Sequence, residues 1–388
     1  MLGGLIGAAS GGCLSRPVES QSPTTKDNFT TQLRQSSIDK VDLLFDIDNS
    51  ASMGDKQAYL SKAVPDLINR LINPYCVDND GNPVKDGSGA IIKSDQEGNC
   101  ANGAKPEYKP VHDMHIGVVT SSLGQRGGDI AGCEDGGDGN TKGELFNRSG
   151  TSGAAITDMN PSNFLSWFPG VTANQGKTAG PGATPITLDT TLRSEFADLV
   201  TGVGQGGCGI ESQLESWYRF LVQPDPYDHI QVNSGNPSTA SLAGVDGTII
   251  KQRHDFLRPD SLVAIIDLTD ENDSEIDVRS VSGTGFNFMS STFDPPRGTT
   301  PCDANPGDPA CTSCAFGGGV DANCAKGPYS AANDWGYDPN LRHVHAKAKY
   351  GVDPQFPIDR YVKGLTQTKI PDRNGEYPAN AGSYVGNP

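Results

Sequence analysis

Three runs of apolar residues constrain this chain more than anything else in it: "VDLLFDI" (Val41 to Ile47), "MHIGVVTSS" (Met114 to Ser122) and "LVAIIDL" (Leu262 to Leu268). Near-continuous apolar runs of this length suit strands buried on both faces of a parallel sheet. Between them lie helical patterns. Met53 to Ile72 carries Leu60, Val64, Leu67 and Leu71 at helical spacing, with Pro65 expected to kink or restart the helix. Helices are also expected over Leu192–Val200 and Ile210–Val222. In the second, Ile210, Leu214, Trp217 and Leu221 form one stripe, while Glu211, Ser212 and Glu215 lie off it. Trp217 and Tyr218 read as core and rim packing, and Asp359 to Gln367 as a short final helix. Strand, helix, strand, helix, helix, strand is the order of an open α/β fold with a central, mostly parallel sheet and helices on both faces.

The chain has 388 residues, of which 35% are hydrophobic, so it can bury a sizeable core; 48 Gly and 27 Pro mean that much of it is loop. One core with long insertions is therefore expected: a leader and polar tether over 1–40, a core over 41–274 with insertions at 75–110 and 123–190, a Cys/Gly/Pro-rich insertion over 275–357, and a last part of the core over 358–388, short of the fold's closing strands. In the second insertion only "NFLSWF" looks buried. The net charge of -17 argues against nucleic acid as a partner, because phosphate binding needs clustered Lys and Arg. It suits a protein that attracts divalent cations.

"MLGGLIGAASGGC" resembles the end of a bacterial lipoprotein signal, in which Cys13 is acylated after cleavage and the polar tract Ser15 to Lys40 forms a tether. It lacks a basic n-region, its apolar run is short, and Ser10 stands where Leu is usual. The eight remaining cysteines form an even set, as expected of disulfides in an oxidising compartment. Cys76 and Cys100 flank one polar loop and are the easiest pair to propose; Cys133, Cys208, Cys302, Cys311, Cys314 and Cys324 cannot be paired from sequence. The last four contain one Cys-x2-Cys, where zinc ribbons usually show that spacing twice.

Asp48-x-Ser50-x-Ser52 in "FDIDNSASMGD" follows the first strand and precedes a helix. Two hydroxyls and a carboxylate in a tight turn suit Mg²⁺, which wants oxygen ligands and keeps several waters. This arrangement resembles the metal-ion-dependent adhesion site of von Willebrand factor A domains. With "VDLLF", "GCGIESQLESWYRFL" and "DENDSE", the stretch from 41 to 274 is similar to A-type lipoproteins of delta-proteobacteria. The resemblance implies a Rossmann-like fold and a divalent ion (Mg²⁺, or Mn²⁺ or Ca²⁺) held by Asp48, Ser50, Ser52 and Asp270, the last in the Thr269-Asp270 pair. An open position would take a carboxylate from a partner protein. It also implies an extracytoplasmic, lipid-anchored protein at the outer membrane or cell surface, with no catalytic chemistry. Where the family places a threonine ligand this chain has Cys208 or Gly209, leaving Glu211 as the candidate for the missing oxygen. Asp46 also departs from the family, which has an apolar residue there.

Two rivals stand beside this reading. One is a structural envelope lipoprotein with a degenerate metal site. The other is a haloacid-dehalogenase-type phosphatase, with Asp46 as nucleophile, Asp48 as general acid, Thr120 as second motif and Asp270 as magnesium ligand; Ser50 is unusual there, and no clear lysine motif stands out. Three weaker patterns have plain readings. Gly202-x-Gly204-x-x-Gly207 follows a helix, not the strand that a dinucleotide loop needs. "DNDGN" (Asp78 to Asn82) reads as a solvated turn more than a calcium loop, and His343 and His345 as surface residues.

Overall fold

The computed structural model describes residues 40–235, 238–290, 354–376 and 384–388. Its strands are β1 (Val41–Ile47), β2 (Cys76–Val77), β3 (Lys105–Pro106), β4 (Met114–Thr120), β5 (Leu165–Trp167), β6 (Pro185–Ile186), β7 (His229–Asn233), β8 (Thr239–Ala243), β9 (Leu262–Leu268), β10 (Lys369–Pro371) and β11 (Tyr384–Gly386). The helices used below are α1 (Gln57–Ile72), α2 (Asp189–Val203), α3 (Gln213–Leu221), α4 (Gly247–Phe256), α5 (Ser280–Gly283) and α6 (Ile358–Thr366).

The three apolar runs become the middle of a five-stranded sheet in the order β6-β5-β4-β1-β9. β1 pairs in parallel with β4 and with β9, β5 runs antiparallel to β4, and β6 runs parallel to β5. Side chains alternate across a strand, so β1 serves two cores. Leu43, Phe45 and Ile47 pack with Val64, Ile68 and Ile72 of α1 and with Leu192, Phe196 and Leu199 of α2. Leu44, facing the other way, packs with Trp217, Phe220 and Leu221 of α3 and with Ile249 and Phe256 of α4. Helices thus cover both faces, as the element order predicts. β9 differs from the other two long strands: it lies at the sheet edge, with Leu262 and Val263 exposed.

α1 and α3 differ in detail from their sequence patterns. α1 starts at Gln57 after a 3-10 turn over Ala51–Asp55 and continues through Pro65 as one segment, at the cost of the helical hydrogen bond to the Ser61 carbonyl. Its inward residues are Val64, Ile68 and Ile72, while Leu67 is 42% exposed. The inward stripe is therefore rotated from the one read off Leu60, Val64, Leu67 and Leu71. α3 starts at Gln213, because residues 204–212 are bound as a loop: Gly207 N donates to Asn49 O (2.7 Å), and Ser212 N to Ser121 O (2.8 Å). Glu211, Ser212 and Glu215, off the apolar stripe, are buried all the same.

Residues 75–110 are held by the Cys76–Cys100 disulfide and by three successive turns of one design. Asp78 Oδ1 accepts from Asp80 N and Asn82 N, Asp86 Oδ1 from Ser88 N and Ala90 N, and Asp95 Oδ1 from Glu97 N and Asn99 N. "DNDGN" is thus an Asx-type turn whose carboxylate is taken by the backbone, and the Asp-x-x-Gly spacing recurs twice more. A second disulfide joins Cys133 to Cys208. The stretch 123–190 supplies β5 and β6 to the sheet; Phe164, Leu165 and Trp167 of "NFLSWF" are fully buried. Gly202 lies inside α2, where an added Cβ would come within 1.8 Å of Arg148 O, so close helix packing accounts for that glycine. Cys13, the cluster from Cys302 to Cys324, and His343 and His345 lie outside the described residues. Among the described residues no helix is long and apolar enough to cross a membrane.

Candidate functional site

The strand order reverses at β1: the chain passes from β1 to β4 on one side and later returns to β9 on the other. In α/β sheets the crevice outside the carboxyl ends of the strands at such a point is where ligands bind. Asp48 to Ser52 follow β1 and Thr269 to Asp273 follow β9, so both acidic stretches meet there.

Asp48 is 1% exposed and is fixed by its neighbours. Its Oδ1 accepts from Ser50 N (2.8 Å) and Ser121 Oγ (3.1 Å), and its Oδ2 from Thr269 Oγ1 (2.9 Å). Ser50 Oγ lies 2.8 Å from Ser52 Oγ, which in turn donates to Asp270 Oδ1 at 3.1 Å. Four of the residues singled out in the sequence are therefore joined in one chain of contacts. Glu211, the fifth, is 2% exposed, interacts with Ser50 and Asp48, and has an Oε2 with no hydrogen-bond partner among the described residues. Burial, then the charges of Glu271 and Asp48, push its carboxyl up to about 7. Cys208 is committed to its disulfide and Gly209 has no side chain, so neither supplies the oxygen that a threonine would.

Sequence reasoning missed several supports. Ser122 Oγ donates to Asn49 Oδ1 (2.6 Å) and accepts from Cys208 N (2.8 Å), tying the β1, β4 and α3 loops together. The signal was the "TSS" ending the second apolar run, read only as strand. Lys56 was missed too. Its Nζ lies 2.9 Å from Asp270 Oδ2 and donates to Ser52 O (3.1 Å) and Asp55 Oδ1 (2.8 Å), and this hydrogen bond holds Asp270 below the usual carboxylate range.

Beneath the site the charge is acidic and enclosed. Asp46 is fully buried on the α3 side of β1, and neither of its oxygens has a hydrogen-bond partner among the described residues. Burial first, then the charges of Asp267, Asp273 and Asp48, hold its carboxyl well above its ordinary value. Asp42, on the same face of β1, shows the opposite solution: Arg258 and Ser261 donate to it. Asp273 accepts from Leu214 N and Glu275 N, yet burial pushes it up to about 8. Thr120 Oγ1 is 2.9 Å from Thr141 Oγ1 and makes no hydrogen bond to Asp46 or Asp48.

The residues present fit a hard divalent cation on two observations: a buried carboxylate oxygen on Glu211 without a partner among the described residues, and two adjacent hydroxyls, Ser50 and Ser52, in hydrogen-bond contact with each other and with Asp270. Among the described residues no three His, Cys, Asp or Glu side chains gather as a metal-holding group. No protein-family model, no curated protein and no solved structure matches the chain. Fold and site together define a mixed α/β protein with a central, mostly parallel five-stranded sheet, a loop-borne oxygen-rich crevice and disulfide-held insertions.

Proposed function

We propose that this chain is an extracytoplasmic binding module of von Willebrand A type that recognises another protein through a divalent ion. Asp48, Ser50, Ser52, Asp270 and Glu211 would hold Mg²⁺, or Mn²⁺ or Ca²⁺, which would supply an open coordination position for a partner's carboxylate. The single observation that carries the reading is the contact chain Asp48–Ser50–Ser52–Asp270 at the sheet's switch point. Glu211 supports it, since a buried carboxylate oxygen without a partner is costly unless a cation or proton meets it. Anchoring at the cell envelope through a lipid on Cys13 rests on the sequence; the disulfides Cys76–Cys100 and Cys133–Cys208 favour an oxidising compartment.

The phosphatase reading is weaker, because the carboxylate it needs as nucleophile, Asp46, is 0% exposed and faces the α3 layer, away from solvent. A structural envelope role with a degenerate site remains the alternative, favoured by the ion pair of Lys56 with Asp270. The test is calorimetric titration of the oxidised protein with Mg²⁺ and Mn²⁺. Binding that disappears in Ser50→Ala and survives in Asp46→Ala supports the metal site; silence in the wild type refutes it and leaves the structural role.

A further inference from the structure

A cavity of about 610 Å³ opens between the loop after β4 and the β7–β8 hairpin, beside the crevice but built from other side chains. Leu123 and Ile230 give it apolar walls; Arg219, Arg126, Lys142 and Tyr227 line its polar side. Its size falls within the roughly 300–1,000 Å³ range of small-molecule sites.

Arg219 is the residue that asks for a ligand. It is 1% exposed and firmly held: Nε donates to Lys142 O (2.5 Å), Nη2 to Tyr227 O (2.5 Å) and to Asp246 Oδ2 (3.2 Å). Its Nη1 has no partner among the described residues. Asp246, its carboxylate, also accepts from Thr248 N and Ile249 N at the start of α4. A second buried guanidinium, Arg253, donates, among the described residues, only to the carbonyls of Phe220, Arg219 and Gln223. Arg126, by contrast, is matched by Glu275 at 2.6 Å. Lys142 is exposed on the rim with no salt bridge among the described residues. Acidic groups stand at the rim as well: Asp228 pairs with His229 (3.0 Å), Asp135 accepts from Asn140 Nδ2 (2.5 Å), and Glu144, held above its ordinary value chiefly by burial, lies close by. The lining thus offers one guanidinium donor without an acceptor among the described residues and one exposed ammonium without a salt bridge among them, beside carboxylates of which Asp228 is held below its ordinary value by its hydrogen bond with His229.

We infer that this cavity binds a small organic oxyanion, its carboxylate or phosphate oxygens accepting from Arg219 Nη1 and Lys142 and its body lying between Leu123 and Ile230. A charge-assisted hydrogen bond would then satisfy the buried guanidinium, the arrangement that makes arginine favour oxyanions. The inference is independent of the divalent ion.

The test is calorimetry and saturation-transfer NMR on the full oxidised chain in EDTA-treated buffer, with succinate, citrate, inorganic phosphate and glycerol 3-phosphate as probes. One of them should bind at one site per chain. The carboxylate arms against the phosphate arms then assign the anion. Lys142→Ala, a surface change that leaves the core alone, should weaken that binding by about tenfold or more, and Lys142→Arg should restore most of it. Ser50→Ala should leave it unchanged, which separates this site from the metal site. Absence of binding by all four probes at ~10 mM, or binding indifferent to Lys142→Ala, would overturn the inference.

Discussion

Glu211 makes the metal reading quantitative. Its carboxyl is pushed up to about 7 by burial and by the charges of Glu271 and Asp48, so near neutrality a cation must displace a proton to use it. Ligands bind metal deprotonated, so apparent affinity scales with the ionised fraction. With a value of about 7, that fraction is ~0.9 at pH 8 and ~0.1 at pH 6. Mg²⁺ or Mn²⁺ should therefore bind ~10-fold more weakly at pH 6 than at pH 8, a difference of about 1.4 kcal/mol. Binding should release ~0.9 proton at pH 6 and ~0.1 at pH 8, readable by calorimetry in buffers of different ionisation enthalpy. Glu211→Gln should lower affinity at pH 8 and remove most of the slope. Equal wild-type affinity at the two pH values would refute the reasoning, as would a Glu211→Gln variant that keeps the same slope.

Two further consequences concern the buried charges. Asp46 is enclosed with neither oxygen partnered, so Asp46→Val should raise stability in urea by ~1–3 kcal/mol at pH 7 and leave Mg²⁺ binding in place; destabilisation would reveal a partner for the carboxylate. The gain should shrink on acidification: a carboxyl whose folded value is raised opposes folding only above its unfolded value, and below about pH 4 both states are protonated. Arg360 of α6 reaches Glu215 of α3 inside the protein and also meets Glu376 at 2.9 Å. Arg360→Met should cost ~3–5 kcal/mol by chemical denaturation, because it strands a buried carboxylate, and adding Glu215→Leu should recover part of that loss.

The class of fold was legible because it rests on local pattern. Apolar runs long enough to be strands, alternating with helical spacings, admit few arrangements other than a covered parallel sheet, and the turn after β1 carries Asp48, Ser50 and Ser52 within five residues of chain. Cys76 and Cys100 were legible as a pair for the same reason, since they close one local loop. What depends on contacts between distant segments was not. Glu211 was legible as a candidate oxygen, but its burial was not: residues 204–212 are drawn onto Asn49 and Ser121, burying it against Ser50. The inward face of α1 was set by α2 and the sheet, which selected Val64, Ile68 and Ile72 over Leu67. β9 has the composition of an interior strand but lies at the edge of the sheet, because a strand's own residues say what it can bury and only its neighbours say what it does. Local sequence determined which elements form and which side chains could ligate a cation; tertiary packing alone decided which carboxylates were brought to them and stripped of water, because desolvation and Coulomb interactions depend on distance in space and not along the chain.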